Sequence, residues 1–575
     1  MGVIGRIFRI FWYAVRALAL FIGIGVLGLL VFLLIAAPWS GGGDDIPDVA
    51  VLDLSFNDRL SEKAGAGQFL KLVQGKGLSV HRMVRVIERA ADDERIQAVM
   101  IDLSAADVPL THGAQLATAM AKFRASGKTS YAYATQWDFG RYRLASAFDE
   151  IWMPASGEFA VGGIALQTPY AGELISDLGI EPQLEKRKRF KSAADVITER
   201  RMSDDLRAAL KELVDDVRAS AMTGITGNRA AVNSVADLQA ALDGAFWSPE
   251  KALELGLVDR LAHRATLTDL LDERHVSASE YLSVALKAPE EPKARIALIA
   301  ATGEIRDGYA NPLETDTIAS VSLVETLRFA ADDPEIDGIV LRIDSPGGGY
   351  APSDAIAETI ANIEKPVVVT MGSVAGSGGY MIAMTADRIV AHPSTITGSI
   401  GVIGGKIVIE DLLSDYGVRF ETVGSGPHAA INSPFTRYTS EERAMLSRRI
   451  DAIYAAFTSA VAENRGLTAD EVERAAQGRV WTGNQALELG LVDRLGGLEV
   501  AFEEAAQALS LQPSDPVEIV EFPRLSATQR LFHAADLGFV SVRSRINWLR
   551  GWDHAVERLE AEGGIRVRMP DLILD

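Results

Sequence analysis

The ten residues ALELGLVDRL, Ala252 to Leu261, recur letter for letter at Ala486 to Leu495. An identity of that length within one chain marks a duplication. The match extends outward. Gly244 and Trp247 precede the first copy as Gly478 and Trp481 precede the second. Upstream, Ala90 to Ile96 (AADDERI) parallels Ala330 to Ile336 (AADDPEI), and Tyr142 and Asp149 fall in register with Tyr380 and Asp387. Two long copies indicate two domains of one fold rather than a solenoid. The first runs over residues 49–286 and the second over 294–520, separated by the Pro/Glu/Lys linker Lys287 to Lys293 and followed by an extension, 521–575, that matches nothing earlier. Strand-like runs (Gly338 to Ile343, Pro366 to Met371) alternate with helical patterns (Ser353 to Ile363), which predicts α/β domains with mostly parallel sheets.

The register shows where the copies diverge. In Val367 to Tyr380 (VVVTMGSVAGSGGY) an apolar run turns on glycines and delivers Ser377 to the start of a helix-like segment, Tyr380 to Ala386. Phe139 stands opposite Ser377, and Asp138 opposite Gly376. The glycine run Ser345 to Gly349 (SPGGG) faces a stretch, Ser104 to Asp107, without glycine. The first copy in turn carries Lys186 to Lys191 (KRKRFK), whose counterpart, Gly424 to Ala429, has no lysine or arginine. One copy keeps a candidate nucleophile, the other a candidate base.

A serine needs a base beside it. The chain has eight histidines, none within ten residues of Ser377; His392 and His428 are the local candidates, without an evident orienting carboxylate. A lysine serves if its amine is neutral, which burial achieves by shifting the pKa down by up to roughly 3–5 units. Lys191 is the best choice, because it follows Phe190 and leaves the charged run. The rest of that run reads as a solvated or lipid-facing stretch. Backbone N–H groups at Gly347 and Gly348 suit an oxyanion hole, although a plain Pro-Gly turn fits the same letters. Thr397 to Val402 (TGSIGV) reads as a strand lying beside an extended peptide, with Ser399 free to bond an amine.

Together RIDSPGGG (Arg342 to Gly349), VAGSGGY (Val374 to Tyr380), TGSIGV and FKSA (Phe190 to Ala193) resemble the signal peptide peptidase A (protease IV) family in its long, duplicated form. The resemblance implies tandem Clp protease/crotonase-like ββα domains, Ser377 as nucleophile, Lys191 as general base, and Gly347 and Gly348 at the oxyanion. It implies Ser399 as the lysine's partner, while the TGSIGV pattern itself makes Gly398, Ile400 and Gly401 the expected substrate-binding residues. It further implies endopeptidase action on signal peptides and other hydrophobic peptides, assembly into a bowl of subunits, expected here as a homo-tetramer, and no cofactor or metal. Asp344 departs from the family's asparagine; facing the site, it would weaken catalysis.

Residues 17–38 are apolar and uncharged, long enough for one transmembrane helix. Arg6, Arg9 and Arg16 precede them, and Asp44 and Asp45 follow, so residues 1–16 are expected in the cytoplasm and the domains on the extracytoplasmic side of a bacterial inner membrane. A cleaved signal is the lesser reading. The net charge of −21 argues against nucleic acid, and the absence of cysteine excludes disulfides and thiolate chemistry. Two other functions compete: a crotonase-like acyl-CoA enzyme, and a non-catalytic membrane scaffold of the same fold. The outward orientation weighs against the first and the complementary losses against the second.

Overall fold

The repeated decapeptide has a structural job in both copies. In the computed structural model, Asp259 Oδ2 accepts the N–H of Ile151 and Asp493 Oδ2 that of Ile389, both at 2.7 Å. Tyr142 donates its hydroxyl to Leu257 O at 2.8 Å, and Tyr380 to Leu491 O at 3.0 Å. Gly256 and Gly490 turn the chain at φ 68° and 72°, where a side chain would be strained. Arg229 and Arg465 each pair with the corresponding aspartate. The ten letters recur because each copy ties its strands with the same buried polar set.

The described residues are 46–56, 59–60, 62, 78–229, 232, 234–244, 246–271, 274–310, 316–523 and 566–568. The first repeat holds β1 (Ala50–Asp53), α1 (Val80–Asp92), β2 (Ile96–Asp102), α2 (Leu110–Ala125), β3 (Thr129–Tyr133), α3 (Phe139–Ala145), β4 (Glu150–Met153), β5 (Glu181–Arg187), α4 (Asp204–Asn228), β6 (Arg260–Leu261) and β7 (Arg274–Ser277). The second holds β8 (Ala294–Thr302), β9 (Glu304–Arg306), β10 (Thr317–Ala319), α5 (Ser320–Asp332), β11 (Gly338–Ser345), β12 (Gly347–Gly349), α6 (Tyr350–Ala361), β13 (Val367–Gly376), α7 (Gly378–Ala383), β14 (Arg388–Ala391), β15 (Ile396–Gly398), β16 (Val402–Val408), α8 (Ser440–Arg465), β17 (Val480–Thr482), β18 (Arg494–Leu495) and β19 (Val517–Phe522). A last strand, β20, is Arg566–Arg568.

The first sheet runs β6-β4-β3-β2-β1-β7, all parallel. Its counterpart runs β18-β14-β13-β11-β8-β19, also parallel. The strand order is the same in both, as a duplication requires. Strands buried on both faces read as unbroken apolar runs, which is why Val367 to Met371 shows no alternation. Each sheet has its own core, one around Phe123, Tyr142 and Phe148, the other around Leu341, Val369 and Tyr380.

The repeats are joined by more than the linker. Leu206, Leu210 and Leu213 of α4 pack on Ile396 and Val480 of the second repeat. β5 pairs antiparallel with β16 over seven residues, Glu181 opposite Val408 to Arg187 opposite Val402. A third sheet therefore crosses the boundary, in the order β10-β9-β12-β20-β16-β5. The basic run that closes β5 serves this contact in part, while Lys188 and Arg189 stay exposed. Arg187 meets Asp451 and Ser447, Lys188 meets Glu473, and within the first repeat Lys186 meets Asp195 and Arg189 meets Asp205. Among the described residues no helix is long and apolar enough to cross a membrane. The predicted anchor, 17–38, lies outside the described residues, as does most of the extension after residue 520.

Candidate active site

Ser377 stands at the corner between β13 and α7, fully buried, with φ 59° and ψ −113°. A non-glycine residue at positive φ is strained and has to be held. Its N–H donates to Gly398 O at 2.7 Å, and its carbonyl accepts from Met381 N at 2.9 Å. The side chain is thereby aimed at the boundary between the repeats.

Lys191 fills that boundary. Its Nζ lies 2.5 Å from Ser377 Oγ, 2.9 Å from Ser399 O and 3.1 Å from Ser399 Oγ. The side chain is fully buried, and burial alone pushes its pKa well below the ordinary lysine range. A neutral amine has two N–H bonds and one lone pair. With the carbonyl and hydroxyl of Ser399 accepting the two N–H groups, the lone pair faces Ser377 Oγ. This is the geometry in which a lysine takes a proton.

Glycines make the room. Gly478 has φ 75°, and a Cβ there would stand 2.5 Å from Lys191 N and 2.7 Å from its Cα and Cβ. One on Gly401 would stand 3.1 Å from Lys191 Cδ. Gly478 was visible in the sequence only as a repeat marker beside Gly244. The two have different duties, since a Cβ on Gly244 would instead strike the Trp247 ring.

The other predicted site residues fall into place differently. Gly347 N–H donates to Ser345 Oγ at 3.1 Å, so this amide is spent inside the loop. Gly348 N faces the start of α7, 3.2 Å from where a Cβ on Gly378 would be. Gly378 opens that helix, where an N–H has no intrahelical acceptor. Gly398, Ile400 and Gly401 line no free strand edge. Strand β15 is paired on both sides, parallel with β13 and antiparallel with β17. The Ile400 side chain lies in the core, and Gly401 roofs the lysine. The slot for an extended chain lies between β12 and β16. Strand β20 occupies it, antiparallel to both: Gly348 faces Val567, and Ile403 faces Arg566.

His392 and His428 have partners of their own, and Ser377 is not among them. His392 accepts from Ser394 N at 3.1 Å, and burial followed by nearby positive charge pushes its pKa down to about 3. His428 Nδ1 lies 3.2 Å from Glu442. Asp344 turns away from the oxyanion loop: its Oδ1 accepts the N–H of Val374 at 3.0 Å.

A buried serine beside a buried lysine and a glycine loop suits a serine protease, and the model of peptidase family S49 matches residues 122–278 and 360–512. The chain belongs to peptidase family S49. This S49 peptidase is a serine protease, and the two matched segments correspond to the two repeats. The Clp protease model also matches residues 310–396, which carry the glycine loop and Ser377. Protease 4 of Salmonella typhi is 33% identical over 76% of this chain and 72% of its own. The chloroplastic serine protease SPPA of Arabidopsis thaliana is 28% identical over 86% of this chain and 74% of its own. A putative signal peptide peptidase SppA of Enterococcus faecium is 32% identical over 39% of this chain and 66% of its own.

Proposed function

We propose that this S49 peptidase cleaves signal peptides and other hydrophobic peptides with a Ser377–Lys191 dyad, anchored by residues 17–38 with its domains on the extracytoplasmic side of the membrane. The observation that carries the reading is the Lys191 amine, buried without a counter-charge and 2.5 Å from Ser377 Oγ. The substrate lies extended between β12 and β16, held mainly by main-chain hydrogen bonds, which suits peptides of varied apolar sequence.

In this reading Ser377 Oγ attacks the scissile carbonyl as its proton passes to Lys191 Nζ. Ser399 O and Oγ hold the ammonium that forms. The carbonyl oxygen, now negative, is received by the N–H groups of Gly348 and Gly378, at a helix N-terminus that favours negative charge. Gly347 shapes the loop. Lys191 then returns its proton to the leaving amine. Water, deprotonated by the same lysine, hydrolyses the acyl-enzyme. No step needs a metal or cofactor. Both members of the dyad come from one chain, so a homo-tetramer would multiply sites rather than complete them.

The test is peptide hydrolysis with labelling of Ser377 by a fluorophosphonate. Ser377→Ala and Lys191→Ala are expected to abolish hydrolysis, and His428→Ala to leave it. Full activity in Lys191→Ala would remove the dyad.

A further inference from the structure

The first repeat gives the site more than a lysine. Between β11 and β13 the register slips: Ile343 pairs with Met371, but Ser345 pairs with Ala375. Residues 372–374 therefore bulge opposite Asp344 alone. Bulges of this kind re-aim the chain next to active sites, and Ser377 lies three residues on. The Asp344 side chain fills the gap, taking the Val374 N–H that has lost its ladder partner. Gly372 leaves the space, since a Cβ there would meet Asp344 Cβ and Cγ at 2.8 Å. On its other side, Asp344 leads into Ser345, whose Oγ donates to Gly303 O and accepts the N–H of Gly347. Asp344 thus joins the nucleophile's strand to the oxyanion loop.

Burial, and then the Glu62 charge, push the Asp344 pKa up, and the cation that opposes them comes from the first repeat. His112 of α2 is 3% exposed, its Nε2 3.8 Å from Asp344 Oδ2, 3.0 Å from Glu62 Oε1 and 3.3 Å from Ser373 Oγ. Its Nδ1 lies 3.0 Å from Leu60 O, which can only accept. Glu62, 2% exposed, also receives Arg342 Nη2 at 2.5 Å and is held ionised. Both ring nitrogens of His112 therefore face acceptors, and the ring carries both protons. The cluster contains two cations, Arg342 and His112, and two carboxylates, Glu62 and Asp344. Arg342 is fixed by Thr370 Oγ1, Met371 O and Gln115 Oε1. Beyond it, His392 and Arg143 complete the charged and titratable surroundings.

We propose that His112 is a positioning residue for the protease reaction: as an imidazolium shared by Glu62 and Asp344, it holds the bulge that aims Ser377 at Lys191 and the oxyanion loop. The catalytically silent repeat thereby sets the geometry of the active one. Glu62, His112 and Asp344 also lie close enough to share a metal ion. Arg342 on the same Glu62 oxygen favours charge balance between side chains instead.

The inference rests on the Ser377–Lys191 reading, and full-length variants separate the two. His112→Gln keeps a donor and similar bulk but removes the charge. It is expected to lower kcat and the fluorophosphonate labelling rate at least about tenfold, with KM held within about threefold, because small misplacements cost the chemical step rather than binding. Adding Asp344→Asn removes the carboxylate left without its cation while keeping an oxygen for Val374 N–H. The double variant is expected to regain most of the lost kcat, which loss of packing alone would not allow. Three results would overturn the proposal: His112→Gln within about twofold of wild type, a double variant no better than the single, or a stoichiometric divalent ion lost with His112. If His112→Gln does not accumulate as folded protein, the double variant must still fold and cleave, and its failure would count the same way. Hydrolysis surviving in Ser377→Ala removes the dyad and this inference with it. Ser377-dependent hydrolysis indifferent to His112 removes only the inference.

Discussion

Replacing Gly478 with alanine tests the lysine pocket without touching either member of the dyad. Two costs follow from the structure. At φ 75° an alanine enters the left-handed region, a strain of about 1–2 kcal/mol. The new methyl also lands 2.5–2.7 Å from Lys191 N, Cα and Cβ. Those are backbone and stem atoms, which no rotamer change can withdraw, and overpacking of this kind costs about 1–3 kcal/mol. Relief requires Lys191 to move away, and its Nζ then leaves the 2.5 Å contact with Ser377 Oγ. A displacement near 1 Å is worth about a hundredfold in rate. Gly466 supplies the control, with φ 64° and nothing within 4 Å of its added Cβ. It carries the strain without the collision. The assay is peptide hydrolysis with labelling of Ser377, beside a thermal melt. Gly466→Ala is expected to lower Tm by a few degrees with normal kcat. Gly478→Ala is expected to lose about a hundredfold in kcat at similar KM. Equal, near-normal kcat in the two variants would refute the claim that this glycine seats the base.

Lys191→Met removes a buried amine but keeps an apolar stem, so activity should vanish while Tm rises by ~2–4 °C near neutral pH. The gain should shrink with rising pH, because the unfolded wild-type lysine holds its proton up to about pH 10.4 and the folded one releases it well below that. For the same reason wild-type kcat/KM should rise with pH through a midpoint well under the ordinary lysine value, and a single limb matching free histidine in Lys191→Ala would contradict this. Ending the chain after Pro523 removes β20 from the slot between β12 and β16. If that strand fills the slot nine-tenths of the time, the apparent KM for an extended peptide should fall about tenfold; an unchanged KM would deny the slot to substrate. Tyr380→Phe leaves the Leu491 carbonyl without its buried donor, at a cost of about 1–2 kcal/mol in a urea melt. Tyr142→Phe should cost the same in the first repeat, and a twofold disparity would speak against equivalent tethering.

The duplication and the parallel α/β class were legible because each is written in local letters or in their recurrence, and the letters also singled out Ser377, Lys191 and Ser399, which the structure brings together. What the letters hid is pairwise. Nothing around Lys186 to Arg189 announces Asp195, Asp451, Glu473 and Asp205; Lys188 and Arg189 are exposed as the run suggests, but each basic residue also has an acidic partner outside the run. Thr397 to Val402 alternates like an edge strand, yet β13 and β17 cover both edges of its first part, through Gly398, and the slot that β20 occupies begins where Val402 opens β16. Gly347 and Gly348 are indistinguishable as letters; only the Ser345 hydroxyl separates the spent amide from the one facing α7. His112 carried no signal at all, since its partners Glu62 and Asp344 come from both repeats. Asp344 looked like a liability for an oxyanion site because its direction is not encoded in its own segment.

On the proposed dyad, the division of labour between the repeats follows from the physics of the base. A lysine stays neutral only where water is excluded and no carboxylate stands near to favour the charged form. A lysine on an exposed loop lacks that enclosure, because such loops run over the surface. Here the lysine is enclosed between two bodies, with β5 laid against β16, α4 against β15 and β17, and Gly401 and Gly478 stripped of side chains around the stem. The serine lies on one wall and the lysine on the other, so closing the wall and assembling the dyad are one event. Once a duplicated partner supplies the lysine from outside, neither copy needs both groups. Phe139 can then fill the first repeat's serine position as core, and Ala429 can replace the second repeat's lysine. Each loss is neutral only while the other repeat stays attached, which makes the fusion itself part of the active site.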